Sequence, residues 1–242
     1  MNSDTAAEKE RLRRLVWRRL EEAGASRFPY GSGRIPNFEG AADAARHLAD
    51  LAEWQRAGVL KVNPDYAQVA VRRLALRQGK VLYMAVPRLQ GEKPFIELDP
   101  AHLKDREAQA ATIAGAERLG RRVAPEEMRP IDAVVCGSVA VRPDGARLGK
   151  GGGFSDLELA IVHGLGLIYS QTAVFTTVHQ LQVLGEEIPM LPHDIVLSHF
   201  ATPAGVIKCD GRPHLFPQVR ADLLNEEQRT TIPILRRLFA SG

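Results

Sequence analysis

Short apolar runs alternate with helical periodicities through the middle of this chain, and that alternation narrows the available folds more than any other feature. Residues 59–62 read as a strand, 66–78 as a helix closed by Gly79, and 80–86 and 95–98 as further strands. The rhythm resumes with a strand over 131–141, a turn at Pro143-Asp144-Gly145, a glycine-rich loop and a helix from about Asp156. Strands at 173–178, 195–200 and 206–209 come next. The pattern predicts an α/β protein whose mostly parallel sheet is covered by helices on both faces.

Ahead of this core, residues 5–22 carry Leu12, Leu15, Val16 and Leu20 at helical spacing, with Gly24 as the stop. The stretch 26–40 is rich in Gly and Pro and reads as a loop. A second helix is expected from Ala41 to Arg56, closed by Gly58. The division expected is one domain over 1–209 and a C-terminal extension over 210–242, helical or partly disordered, with Pro233 interrupting or beginning its helix.

With 45% hydrophobic and 25% charged residues in 242, disorder and small disulfide scaffolds are excluded. Cys136 and Cys209 lack any C-x-x-C spacing, so neither a zinc site nor a disulfide framework is expected. No run approaches the roughly 20 apolar residues of a membrane span, and MNSDTAAEKERLRR has no signal-peptide core. A reducing cytoplasm is the expected setting. The formal charge is +3, but Lys9, Arg11, Arg13, Arg14, Arg18 and Arg19 crowd one early segment. Such a local excess favours an anionic ligand or partner, although a charge run taken alone reads first as a solvated helix face; the bases are not interleaved with aromatics, which argues against nucleic acid.

The most distinctive segment is Arg147-Leu148-Gly149-Lys150-Gly151-Gly152-Gly153-Phe154-Ser155-Asp156. Glycine at four of five positions lets backbone N–H groups approach one oxyanion, and a helix beginning just afterwards adds its positive end. Arg147 and Lys150 flank the glycines, and Asp156 stands where it could face a magnesium ion. The loop is neither a Walker A motif nor a dinucleotide G-x-G-x-x-G. Lys9 and Arg13, four apart, share one helix face.

Together these segments resemble the 5-formyltetrahydrofolate cyclo-ligase (methenyltetrahydrofolate synthetase) family, which pairs K-x-x-L-R with R-L-G-[RK]-G-x-G-[YF]-x-D. Lys9, Leu12 and Arg13 match the first motif, and Arg147 to Asp156 the second. The later P-x-x-x-x-D is similar to Pro189 to Asp194. The stretches Arg34-Ile35-Pro36-Asn37-Phe38-Glu39-Gly40, Lys61-Val62-Asn63-Pro64-Asp65 and Lys150-Gly151-Gly152-Gly153-Phe154 resemble a divergent branch, the methenyltetrahydrofolate synthetase domain-containing proteins.

The resemblance implies a three-layer Rossmann-like fold of the NagB/RpiA/CoA transferase-like kind. It also implies ATP- and Mg2+-dependent closure of 5-formyltetrahydrofolate to 5,10-methenyltetrahydrofolate. In that chemistry the formyl oxygen attacks the γ-phosphorus, N10 attacks the activated carbon, and phosphate leaves. Carried over, ATP is held by Lys9, Arg13, Arg147, Leu148, Gly149, Lys150, Gly151, Gly152, Gly153, Phe154 and Ser155, with Lys150 and Arg147 acting on the transferred phosphoryl. Asp156 and Asp194 face magnesium, and Leu60 and Asp65 face the pterin. The chain departs from the family in Phe154-Ser155, where paired aromatic residues are usual, in Asp65 for Glu, and in having no evident aromatic residue to stack on the folate. The alternative function is a catalytically divergent nucleotide-binding paralogue. A phosphosugar or coenzyme A enzyme is a third, resting on fold analogy alone. His163, His179 and His193 are expected in structural roles, and the oligomeric state stays open.

Overall fold

A computed structural model of the chain describes residues 3–210, 216–219, 221–224 and 226–240. It opens with α1 (Ser3–Glu22), β1 (Ser26–Arg27), β2 (Asn37–Phe38), α2 (Ala41–Ala49), α3 (Ala52–Arg56) and β3 (Val59–Val62). Next come α4 (Val69–Arg77), β4 (Val81–Ala85), β5 (Phe95–Leu98), α5 (Glu107–Ala110), α6 (Ile113–Leu119), β6 (Arg121–Val123) and β7 (Ala133–Val135). A short hairpin of β8 (Ala140–Val141) and β9 (Arg147–Leu148) leads into α7 (Phe154–Gly164). The chain then forms β10 (Ala173–Thr177), β11 (His199–Thr202), β12 (Gly205–Lys208), α8 (Glu226–Thr231) and α9 (Pro233–Ala240).

Eight strands form the main sheet in the order β12-β11-β10-β7-β3-β4-β5-β6. The neighbours from β11 through β10, β7 and β3 to β4 are parallel, and β12, β5 and β6 add antiparallel edges. Read across the sheet from β4, the five parallel strands run second, first, third, fourth, fifth in chain order. This is the doubly wound arrangement whose order reverses between β3 and β7.

Strand alternation sorts the core into two layers. Leu60, Val62, Leu82, Met84, Ala133, Val135 and Phe175 face the side covered by α1, α2 and α4. Val59, Tyr83, Val134 and Val174 face α7 and α9. Helix α1 supplies Leu12, Val16 and Leu20 to the first layer, four residues apart and fully buried, each contributing about 1.5–3 kcal/mol of transfer free energy. Lys9 lies on the same stripe one turn earlier, so the helix that anchors the core also aims a cation at the end of the sheet. Ile232, Ile234 and Leu235 are buried in the second layer. Of the expected C-terminal extension, residues 211–215, 220, 225 and 241–242 lie outside the described residues.

Four local expectations are corrected. The helix expected over 41–56 is two helices, because Leu51 takes an extended conformation. In one continuous helix Leu48 and Trp54, six residues apart, would point about 120° apart; the break lets both reach the same core layer. The expected strand over 131–141 ends at Val135, and β8 belongs to a separate two-stranded sheet with β9. The strand expected at 195–200 begins at His199. Before it, Ile195 N–H donates to Asp156 Oδ1 (3.2 Å) and Leu197 N–H to the Gly145 carbonyl (2.9 Å), so side-chain and hairpin oxygens take donors a strand would have used. The 26–40 loop contains the β1–β2 pairing.

Trp54 is fully buried and donates Nε1–H to Gln78 Oε1 (2.7 Å). Trp54→Ala is expected to cost about 3–5 kcal/mol, read as a lower urea midpoint with an unchanged slope.

Candidate active site

Where the strand order reverses, the chain leaving β3 turns to one face of the sheet, toward α4. The chain leaving β7 passes through the hairpin to the other face, toward α7. Neither continuation covers the gap between them, and a crevice opens outside the carboxyl ends of the strands. A cavity of about 750 Å³ occupies this place. It is walled by the start of α1, the loop after β3, the end of β4, the glycine loop, the first turns of α7 and the segment around Asp194.

Four cations converge on the glycine loop, and each is held by an oxygen of the protein. Lys9 pairs with Asp194. Arg13 Nε–H donates to the Gly149 carbonyl (2.8 Å). Arg147, only 3% exposed, donates from Nε to the Gly137 carbonyl (3.0 Å) and pairs through Nη1 with Asp156 Oδ1 (3.2 Å). Lys150 reaches across the crevice to Asp65 Oδ1 (3.0 Å) with its side chain 47% exposed. Desolvation opposes the charge on Arg147, but Cys136 and the carboxylates of Asp156, Asp194 and Asp65 outweigh it, so the guanidinium pKa is raised above its ordinary value. Arg147 is a fixed positive charge in a dry wall.

The glycines are needed where they stand. Gly151 has φ +104° with the Arg13 guanidinium carbon 3.4 Å from where a Cβ would be, and Gly153 caps α7 in the left-handed conformation at φ +67°. The start of α7 thus offers its free N–H groups and dipole beside the four cations. Gly137, at the end of β7, has no room for a Cβ, which would sit 2.8 Å from Ile35 Cγ1 and 2.9 Å from Asp65 Oδ2.

Beneath the cavity lies a buried polar network. Lys61 faces α7 from the middle of β3, pairs with Glu158 and donates to Asn63 Oδ1 (2.7 Å). Asn63 Nδ2–H donates in turn to Ser155 Oγ (2.5 Å). From the opposite face, Arg72 of α4 donates to the carbonyls of Asn63, Asp65 and Ala111. Burial pushes the Arg72 pKa down to about 10, with Asp65 working against the shift. The loop carrying Asn63 and Asp65 is therefore held from both sides of the sheet.

All the sequence candidates line this cavity except Leu60. Leu60, expected against the pterin, is fully buried under α4 and belongs to the core layer. Period-two alternation turns its side chain away, and only the loop beyond the strand reaches the crevice. Asp156 and Asp194 are adjacent, Asp156 accepting from the amide next to Asp194, and both are engaged by cations. No group of three or more potential ligands that could hold a metal exists among the described residues. His163 and His179 take structural roles: His163 Nδ1 lies 3.3 Å from the Pro217 carbonyl, and His179 Nδ1 accepts from Leu181 N–H. His193 lies on the cavity wall. Sequence reasoning passes over Lys61, Asn63, Glu158, Arg72 and Tyr66. For Lys61 a signal is present: a lysine inside the apolar run Val59-Leu60-Lys61-Val62 requires a buried partner.

The fold and cavity define a doubly wound α/β protein with four cations gathered at a glycine loop beside its switch point. A model of the 5-formyltetrahydrofolate cyclo-ligase family matches residues 5–203, and the chain belongs to that family. It is 35% identical over 246 residues to a Mus musculus methenyltetrahydrofolate synthase domain-containing protein, covering 98% of this chain and 65% of that protein. Its Homo sapiens counterpart is 34% identical over 236 residues, covering 96% and 61%. The chain thus spans less than two thirds of those relatives' length. In fold it is similar to an Aquifex aeolicus 5,10-methenyltetrahydrofolate synthetase solved by NMR, with TM-score 0.50, 20% identity, and 84% of this chain and 94% of that one covered.

Removing one partner of the buried pair strands the other charge. Lys61→Met is expected to lower stability by about 3–5 kcal/mol in urea denaturation, and the double variant Lys61→Met/Glu158→Leu to recover most of that loss.

Proposed function

We propose that this chain closes 5-formyltetrahydrofolate to 5,10-methenyltetrahydrofolate with ATP as the phosphoryl donor. The observation that carries this reading is the convergence of Lys9, Arg13, Arg147 and Lys150 on the glycine loop at the start of α7, each bound to an oxygen that a phosphate oxygen can replace. Family membership supports it. Phosphoryl transfer asks the protein for positioning and charge neutralisation more than for a nucleophile, and this wall offers both.

In the proposed reaction the formyl oxygen attacks the γ-phosphorus and ADP departs. N10 then attacks the activated carbon, and phosphate leaves carrying the formyl oxygen. Lys9 and Arg13 hold the triphosphate from α1, while backbone N–H groups from Gly149 to Ser155 wrap it. Arg147 supplies fixed charge, and Lys150 moves from Asp65 onto the transferred group. That exchange frees the Asp65 carboxylate for the pterin. Asp156 and Asp194 suit a magnesium ion carried with the nucleotide, because Mg2+ takes one or two carboxylates with phosphate and water as its other ligands; bound there, it would neutralise charge on the phosphates.

A cytoplasmic setting is part of the proposal: both cysteines are free, as a reducing compartment would keep them. No helix among the described residues is long and apolar enough to cross a membrane.

A second reading, a nucleotide-binding paralogue without ring closure, is favoured by Ser155. It stands where the family pattern has an aromatic residue, and its hydroxyl accepts from Asn63. The two separate on a spectrophotometric assay for methenyltetrahydrofolate beside calorimetric ATP binding: a flat trace with intact ATP binding selects the second. In the active protein, Lys150→Ala is expected to lower kcat by about 10²-fold with an unchanged thermal melt, since an exposed loop cation seldom alters stability by more than about 0.5 kcal/mol. An unchanged kcat would remove Lys150 from the reaction.

A further inference from the structure

The floor of the cavity carries a carboxylate that the proposed reaction leaves without a task. Glu158, only 7% exposed and one turn into α7, lines the cavity together with Asn63 and Ser155. Its Oε2 is taken by Lys61, while Oε1 has no partner among the described residues. We infer that Glu158 is a specificity-determining residue: it accepts from the amino group and the adjacent ring N–H of a 2-amino-4-oxopyrimidine, here the pterin of the folate. The inference rests on the folate reading and names the group that selects the ring.

Three observations converge on it. Glu158 is ion-paired to a lysine that is itself 1% exposed, and a carboxylate in such a pair offers a ligand only acceptor lone pairs. A donor stands beside it. Ser155 lies three residues earlier on the same face of α7, and its Oγ accepts from Asn63 Nδ2–H (2.5 Å) while keeping its own hydrogen for a ligand. Acceptor and hydroxyl side by side match the donor, donor, acceptor order along one edge of a 2-amino-4-oxopyrimidine. Adenine would instead set a ring-nitrogen lone pair against the carboxylate, so the proposed phosphoryl donor does not compete for this floor. Finally, the groups are held. Asn63 Oδ1 accepts from Lys61 (2.7 Å), and Arg72 grips the Asn63 carbonyl from the other face of the sheet, so little ordering is required on binding.

The test measures, by calorimetry on the full chain, 5-formyltetrahydrofolate against the same compound with its 2-amino group replaced by methyl. Losing an N–H from a charged acceptor is expected to weaken binding by about 10²-fold. In Lys61→Met/Glu158→Leu, which removes both buried charges together, the two compounds should bind alike while ATP affinity is unchanged. Glu158→Gln gives a second route to the same loss, since its amide oxygen still serves Lys61 and its amide N–H then meets the ring donors. Equal affinity of the two compounds for the unaltered chain overturns the assignment while the folate reading stands, as does a preference that persists in either variant. GTP bound more tightly than ATP, with that preference lost in Glu158→Gln, gives the floor to a guanine base and overturns the pterin. If 5-formyltetrahydrofolate does not bind at all, the folate reading fails and this assignment with it.

Discussion

Everything that makes a site here depends on the divergence of two neighbouring strands. β3 and β7 lie side by side and point the same way, yet their continuations pass to opposite faces of the sheet. The gap at their ends has no covalent bridge, so side chains and backbone must line it. Gly137 sets how closely the two continuations approach: with no side chain there, the Asp65 carboxylate comes against the end of β7, and the Gly137 carbonyl is free to accept from Arg147. A one-residue constraint at the end of a strand thus positions both the acid and the buried base of the site.

Electrostatics explain how four cations stand together at one loop. Four like charges at one loop would repel, and a guanidinium as deeply buried as Arg147 would be costly if isolated. Each cation is instead matched by a carboxylate or carbonyl: Lys9 by Asp194, Arg147 by Asp156 and Gly137, Lys150 by Asp65, Arg13 by Gly149. Pairing preserves the charges in position while leaving them exchangeable, since exposed ion pairs such as Lys150–Asp65 are worth little in water. The permanent partners lie deeper. Lys61 with Glu158, and Arg72 with three backbone carbonyls, fix the loop between β3 and α4, so that exchangeable charges at the rim work against a rigid floor.

Much of the molecule is readable from the chain itself because it is local. The helical stripe of α1, the strand at 59–62, the αL-prone glycines before α7 and the cluster of bases around them depend on near neighbours, and the motif order Lys9, Arg147, Asp194 is enough to identify the family resembled. The long-range part is not readable in this way. Nothing local says that the run 131–141 stops at Val135 to free a carbonyl for Arg147, nor that Ile195 and Leu197 give their amides to Asp156 and Gly145 in place of strand pairing. Leu60 and Lys61 are adjacent in sequence, but only the sheet, with α4 on one face and α7 on the other, decides that the first fills the core and the second supports the site. The sequence shows no evident aromatic partner for the cavity, yet Tyr66 and Phe28 meet at its mouth, brought together from 38 positions apart by the β1–β2 pairing and the loop after β3. Periodicity fixes which face a residue takes within its own element; which element covers that face is decided by packing between segments far apart in the chain.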